Sequence, residues 1–207
     1  MDDVQRSHAR SRLRDAALRL VRARGWAGTS VDELCAAAGV TKGSFFHHFK
    51  TKEALGVAAA QHWGAVTAAL FAGAAYHRLA DPRDRVLAYI DFRASLLTDD
   101  LAACSCFAGT LVQEVHATHP ALREACGAAI AGHAATLEAD IAAAKAAYCP
   151  DADWPHGEDG VANLALFTQT VLQGAFVMAK AAGDVAVARG QVDHLRRYVG
   201  MLLGETR

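Results

Sequence analysis

The sequence predicts an all-α protein, and three observations carry that expectation. Hydrophobic residues fill 53% of the 207 positions, yet aromatics reach only 7%. Alanine dominates the apolar content and suits close helix packing, while the β-branched and aromatic residues that favour sheets are scarce. Only four prolines interrupt the chain, and apolar residues recur at helical spacing along most of what lies between them.

Each helix has its own signals. The first spans about residues 7 to 24, with Leu13, Ala16, Ala17, Leu20 and Val21 on one face and arginines around it; Gly25 reads as its C-cap. In "TSVDELCAAAG", Ser30 with Glu33 three residues on is a capping box, and Gly39 stops the helix about two turns later. Thr41 caps a short helix, "KGSFFHHF". Thr51 caps a long one whose stripe is Trp63, Val66 and Leu70. After the turn "ADPRDR", helices are expected near 82–98, 101–117, 120–147, 159–182 and 185–203, with "CPDADWPHGEDG" (149–160) as a loop.

Several function classes find no support. No run approaches the roughly 18 to 20 uninterrupted apolar residues of a membrane span. The opening "MDDVQRSHARSRLRD" has no apolar core of a secretory signal, so a cytoplasmic location is expected. Cys35, Cys104, Cys106, Cys126 and Cys149 are odd in number and irregular in spacing, unlike a disulfide framework or a paired zinc motif. Glu114, His116 and His119 lie close together, but "HATHP" lacks regular ligand spacing and Pro120 interrupts the helix. Neither a metal nor another cofactor is expected. With no phosphate-cradling glycine loop and no G-x-S-x-G, an enzyme or metal-dependent protein is a remote alternative.

The net charge of −1 hides an asymmetry. Residues 1–52 hold ten Lys/Arg against five Asp/Glu; residues 53–207 hold eleven against seventeen. A basic head on an acidic body fits a head that meets a polyanion, or simply a solvated charged face.

Two short helices joined by "AAGVT" resemble a helix-turn-helix, whose second helix lies in the DNA major groove. At 100° per residue, Phe45 and Phe49 share the core-facing arc. Lys42, Gly43, Phe46 and His47 fall on another arc, flanked by Ser44 and His48. Glycine in a first turn is poor for helix propensity and makes sense where a backbone must approach something closely. The alternative is that Phe46 packs under the first helix and the histidines are solvated.

The stretch "RDAALRLVRARGWAGTSVDELCAAAGVTKGSFFHHFKTKEAL", residues 14–55, is similar to the TetR family of bacterial transcriptional repressors. The family pattern there is a helix, a G-[FYW] step, a capped helix ending A-G-V, then S/T-K-G-x-[LF]-Y-x-[YH]-F-x-[ST]-K-E. The resemblance implies a helix-turn-helix DNA-binding domain over 1–52 and a helical effector-binding and dimerisation domain over 53–207. It further implies that Ser30 (or Thr29) caps the second helix and can bond a phosphate. Thr41, Lys42, Gly43 and Ser44 would open the recognition helix against the backbone, Phe46, His47 and His48 would occupy its contact positions, and Lys52 would grip the backbone. The family usually carries tyrosine where this chain has Phe46, which keeps the apolar contact and loses the hydroxyl. The partners implied are a palindromic double-stranded operator, a second copy of the chain and a small-molecule effector. A transcriptional activator is an alternative.

In the body, Val192, Leu195, Val199 and Leu202 form one narrow seam, and Leu164, Phe167, Val171, Gly174, Ala175 and Met178 another. Either seam serves a dimer or packs on the body; the resemblance favours a two-fold four-helix bundle. Candidate effector contacts are Tyr89, Phe92, Cys106, Thr110, Gln113, Gln169 and Gln173, polar groups within apolar surroundings. The stretch "SCFAGTLVQE" also resembles a TetR subgroup with a G-C-L-x-x-x-L pattern, some of whose members sense electrophiles or oxidants. This makes Cys106 a candidate thiol sensor with Cys104 as its resolving partner, against the alternative of a small packed thiol.

Overall fold

The computed structural model describes residues 3–155 and 157–205. Residues 1–2, 156 and 206–207, which the two sequence-assigned domains and the 149–160 loop include, lie outside the described residues. Among the described residues there are helices and turns but no strand. The helices are α1 (Asp3–Arg24), α2 (Val31–Ala38), α3 (Lys42–His48), α4 (Lys52–Ala72), α5 (Pro82–Ser95), α6 (Leu101–Cys104), α7 (Phe107–Val115), α8 (Pro120–Ala135), α9 (Glu138–Tyr148), α10 (Gly160–Ala182) and α11 (Val185–Leu202). Short 3-10 turns occupy Ala75–Arg78 and Gly157–Asp159.

Local chemistry explains most of the boundaries. Gly25 and Gly39 adopt φ of +80° and +60°, a left-handed conformation that glycine reaches at little cost. Ser30 Oγ accepts from the Glu33 N–H while the Glu33 carboxylate accepts from the Ser30 N–H, so both halves of the capping box are made. Pro82 sits in the first turn of α5, and the Asp81 carboxylate accepts from the Arg83 and Asp84 N–H groups.

Two expected helices are broken. The 101–117 helix splits into α6 and α7 because Cys106 takes an extended backbone and its Sγ accepts from the Gly109 N–H at 3.4 Å, acting as an N-cap. The 120–147 helix splits into α8 and α9 at Thr136, whose hydroxyl donates to the His133 carbonyl at 2.7 Å. Neither break carries a glycine or proline, so periodicity runs through both.

The chain forms two compact units, residues 1–67 with 105–130, and residues 68–104 with 131–207. In the first, Leu13, Val21, Phe45, Leu55, Phe107, Leu111 and Leu122 are fully buried in one core. That core joins the three head helices to α4, α7 and the start of α8. In the second, α5 packs on α9 and α11, and α10 packs on α9 and α11. Tyr89, Ile90, Ile141, Leu172 and Leu203 are among its largest fully buried side chains.

Segment 52–78 and α10 reach mean hydropathies of 1.2 and 1.4, within range of a membrane span by length and composition. Alanine raises both averages without producing an uninterrupted apolar run, and core helices of helical proteins pass the same test.

Candidate nucleic-acid interface and effector cavity

The short helix α3 divides its aromatics as 100° spacing requires. Phe45 is fully buried and Phe49 nearly so, while Phe46 is 47% exposed. Phe46 touches Phe45 edge-on with ring centroids 5.1 Å apart; it does not pack under α1. Thr41, Lys42, Gly43 and His47 are exposed beside it, with Ser44 and His48 half-buried at the flanks. The Thr41 Oγ1 accepts from the Ser44 N–H at 3.1 Å and starts the helix. A Cβ placed on Gly43 would meet only Thr41 Oγ1, at 3.8 Å, so nothing within the chain demands glycine there.

The cations of this unit are less free than the sequence implies. Lys42 Nζ lies 2.8 Å from Asp32 Oδ1, and this hydrogen-bonded pair raises the ammonium's pKa. Lys52 departs further from expectation. Its Nζ donates to the Trp26 carbonyl at 2.6 Å and stands 4.1 Å from the centroid of the Trp26 ring. Burial lowers its pKa, partly offset by Glu114 and Glu33. A half-buried ammonium held this way braces the turn after α1, a role that no sequence motif announces. Ser30 is exposed, but its hydroxyl is engaged in the capping box, and the Ser30 N–H is the main cause of Glu33's lowered pKa. Thr29, the other candidate cap, is buried and donates to the Gly25 carbonyl at 2.8 Å.

The seven candidate effector contacts are divided between the two units. Tyr89, Phe92 and Gln169 come together in the second unit, and Gln173 lies half-buried on the same helix as Gln169. Cys106, Thr110 and Gln113 belong to the first unit. There Cys106 caps α7 half-buried, and Gln113 is exposed and donates to the Gly109 carbonyl at 2.8 Å. Burial pushes the Cys126 thiol up to about 12, with the nearby charge of Cys106 adding to it. Cys104 belongs to the second unit, where its thiol donates to the Leu101 carbonyl at 3.6 Å.

Around Tyr89 the second unit builds a polar chain inside an aromatic cluster. Gln169 Nε2 donates to the Tyr89 hydroxyl at 2.9 Å, and that oxygen lies 3.0 Å from His133 Nε2. Arg93 approaches the same His133 nitrogen at 3.4 Å. A guanidinium only donates, so Nε2 is the acceptor and the proton sits on Nδ1. Burial, then the Arg93 charge, pushes the His133 pKa down to about 4, which agrees with a neutral ring. Phe71 meets His133 edge-on with centroids 4.4 Å apart and Phe92 edge-on at 5.3 Å. A cavity of about 240 Å³ opens here, lined by Phe71, Tyr76, His77, His133, Thr136 and the alanines at 68 and 72. Sequence reading missed Phe71, Tyr76, Arg93 and His133. A single histidine in an alanine-rich helix carries no pattern that would mark it.

The two seams are also re-sorted. Val192, Leu195 and Val199 are at most 2% exposed within their own chain, and Leu164 and Ala175 are also buried. A side chain already covered by its own fold offers little apolar face to a second chain, and these five belong to this chain's own core. Leu202 and Val171 are half-buried and Gly174 is exposed. What faces outward is Phe167 (38% exposed) and Met178 (57%), joined by Leu166, Val177, Tyr198 and Met201. Phe167 and Tyr198 pack edge-on at 5.3 Å.

Among the described residues no group of three or more His, Cys, Asp or Glu side chains is placed to hold a metal. Glu114 instead binds backbone: its two oxygens accept from the Trp26 and Ala27 N–H groups at 2.7 and 2.8 Å.

With this geometry in place, comparison with known proteins is informative. The Escherichia coli repressor NemR is 42% identical over 71 residues, which is 32% of this chain and 33% of that protein. The matched stretches span about a third or less of the length of such curated relatives. Likeness of fold extends much further. A TetR-family regulator from Agrobacterium tumefaciens superposes with a TM-score of 0.79 at 18% identity, covering 93% of this chain and 98% of that one. The regulator CifR, solved as a cysteine mutant complexed with 26 bp double-strand operator DNA, superposes at 0.73 and 20% identity over 91% and 95%. Residues 13–59 match the model of bacterial regulatory proteins of the tetR family, and residues 82–189, more than half the chain, match that of the LmrA/YxaF-like transcriptional regulator C-terminal domain. The chain therefore belongs to the TetR family of transcriptional regulators, with an LmrA/YxaF-like C-terminal domain.

Proposed function

We propose that the protein is a one-component repressor that binds a palindromic operator as a dimer and is released by a small organic effector. The observation that carries the DNA-binding part is Phe46, 47% exposed, while Phe45 within α3 and Phe49 at its C-cap are buried. It stands beside exposed Lys42, Gly43 and His47, the second helix of a helix-turn-helix presenting an apolar contact among donors. Phosphate contacts from Thr41, Lys42 and Ser44 position the head, and Phe46, His47 and His48 meet base edges. Lys52 acts by bracing the turn at Trp26. The functional division is a DNA-binding head over 1–52 and an effector and dimerisation region over 53–207.

Two outward apolar rows support dimerisation through α10 and α11. Phe167 and Met178, eleven residues apart on α10, share a face with Gly174. Tyr198 and Met201 extend it on α11. The cavity beside Phe71 and His133 supports an uncharged effector of modest size, because no formally charged side chain lines it. The acting compartment is the cytoplasm, where the chromosome is.

The test is selection from a random duplex pool at physiological salt with purified protein. Recovery of one palindrome is expected, and His47→Ala should then change sequence preference more than overall affinity. Recovery of no preferred sequence would overturn the reading.

A further inference from the structure

We propose that Glu114 is a positioning residue for operator binding: from α7, its carboxylate clamps the turn between α1 and α2 and so sets how the α2–α3 pair is presented. This rests on the DNA-binding function proposed above.

The turn begins where α1 ends. Gly25 reverses the chain at φ +80°, and the N–H groups of Trp26 and Ala27 leave the helical ladder. One carboxylate takes both: Oε1 accepts from Trp26 at 2.7 Å and Oε2 from Ala27 at 2.8 Å. Two short bonds to one charged acceptor, one per oxygen, fix orientation as well as distance. The space is shaped for it. A Cβ on Gly25 would lie 2.3 Å from Glu114 Oε1, so glycine supplies both the left-handed backbone and the room for the carboxylate.

The same turn is held from its other side. Lys52, at the start of α4, donates to the Trp26 carbonyl and lies over the indole. The indole is wedged so tightly that a Cβ on Gly56 would approach Trp26 to 2.8 Å and Leu122 to 2.7 Å. Thr29 then ties back to the Gly25 carbonyl, and Ser30 immediately starts α2 with its capping box. Only three residues separate the clamped N–H of Trp26 from the cap of α2 at Ser30, too few to absorb a displacement of the turn. The clamp comes from 88 residues along the chain, on a helix whose Phe107, Leu111 and Val115 are buried in the same core as the head. Among the described residues the hydrogen bonds of the Glu114 carboxylate go to the turn and not to the exposed row on α3, so its effect on DNA passes through the turn.

The experiment uses full-length protein and the duplex selected by the unsubstituted chain, with a scrambled duplex of equal length. Glu114→Gln keeps the shape but turns an amide NH2 toward a backbone N–H, so one bond is lost and two donors face each other. Expected results are roughly tenfold weaker binding of the selected duplex, nearly unchanged binding of the scrambled one, and faster hydrogen exchange at the Trp26 and Ala27 amides. Gly25→Ala, which crowds the same carboxylate, should reproduce the loss, and should cost less in a Glu114→Ala background. Equal loss on both duplexes in step with a lowered melting temperature would reduce Glu114 to a fold-stabilising contact and overturn the proposal. Unchanged binding of the selected duplex would also overturn it while leaving the repressor reading intact. If the unsubstituted protein shows no sequence preference, the repressor reading falls first and this one with it.

Discussion

The two compact units use their polar side chains differently. In the unit built around the helix-turn-helix, most polar side chains act on backbone close by in sequence. Ser30 and Glu33 close the start of α2, Thr41 the start of α3, and Thr51 the start of α4 by accepting from the Ala54 N–H at 3.0 Å. In the other unit, local caps such as those of Asp81 and Asp184 are joined by polar pairs across long separations. Gln169 meets Tyr89, Tyr89 meets His133, Arg85 meets Asp140 at 2.7 Å, and Arg196 meets Asp91 at 3.0 Å. Local caps fix helix ends from neighbouring residues, whereas the distant polar pairs form only once the helices have packed.

The sharpest test of the first unit lies within one helix. Phe45→Ala should destabilise the protein by about 3–5 kcal/mol, the cost of emptying a fully buried aromatic site. Phe46→Ala should leave stability nearly unchanged and weaken duplex binding. Denaturant titration beside a binding isotherm checks both, and a large stability loss at Phe46 would break the division of faces.

The second unit should instead respond to acid. His133 titrates at about 4 in the folded protein against an ordinary value of 6.5. The unfolded chain therefore binds the proton first as pH falls. Stability is complete at neutral pH and is lost between about 6.5 and 4, by roughly 3 kcal/mol if the whole effect is realised. His133→Gln should flatten that slope in a melting series across this range. An unaltered slope would mean that other groups carry the acid response.

Two lysines separate by a smaller margin. Lys42→Ala should weaken binding to every duplex and reduce the salt slope by about 1, as one lost phosphate contact does. Lys52→Ala should cost about 1–2 kcal/mol of stability through the lost Trp26 contacts. An equal change of salt slope for both would restore Lys52 to the DNA surface. Smallest of all is Gly43→Ala. It should raise stability by up to about 1 kcal/mol, since alanine is the better helix former and the site is open, while weakening duplex binding if a backbone or base must approach there. A gain in both would remove the reason for glycine.

Legibility followed the same division. The capping box, the glycine stops and the opposed faces of Phe45 and Phe46 could be read directly, because each depends on residues within one or two turns of each other. The breaks at Cys106 and Thr136 could not, since a thiol and a threonine cap by side-chain geometry that periodicity does not encode. The apolar stripe of α11 was visible in the sequence, but not which surface it covers: Val192, Leu195 and Val199 proved to be core, and the outward faces of Met178 and Met201 only appear once the helices are packed.

What the sequence determined by itself is the all-helical class, the helix-turn-helix and the residues on its outward face. Those follow from 3.6-residue periodicity and short-range capping, which act before any tertiary contact forms. Only the tertiary structure decided that Lys52 turns inward to Trp26, that Glu114 clamps a turn 88 residues away, and that a solitary histidine completes the chain from Gln169 to Arg93. Each of these joins groups distant in sequence by directional hydrogen bonds, and direction is a property of the packed helices alone.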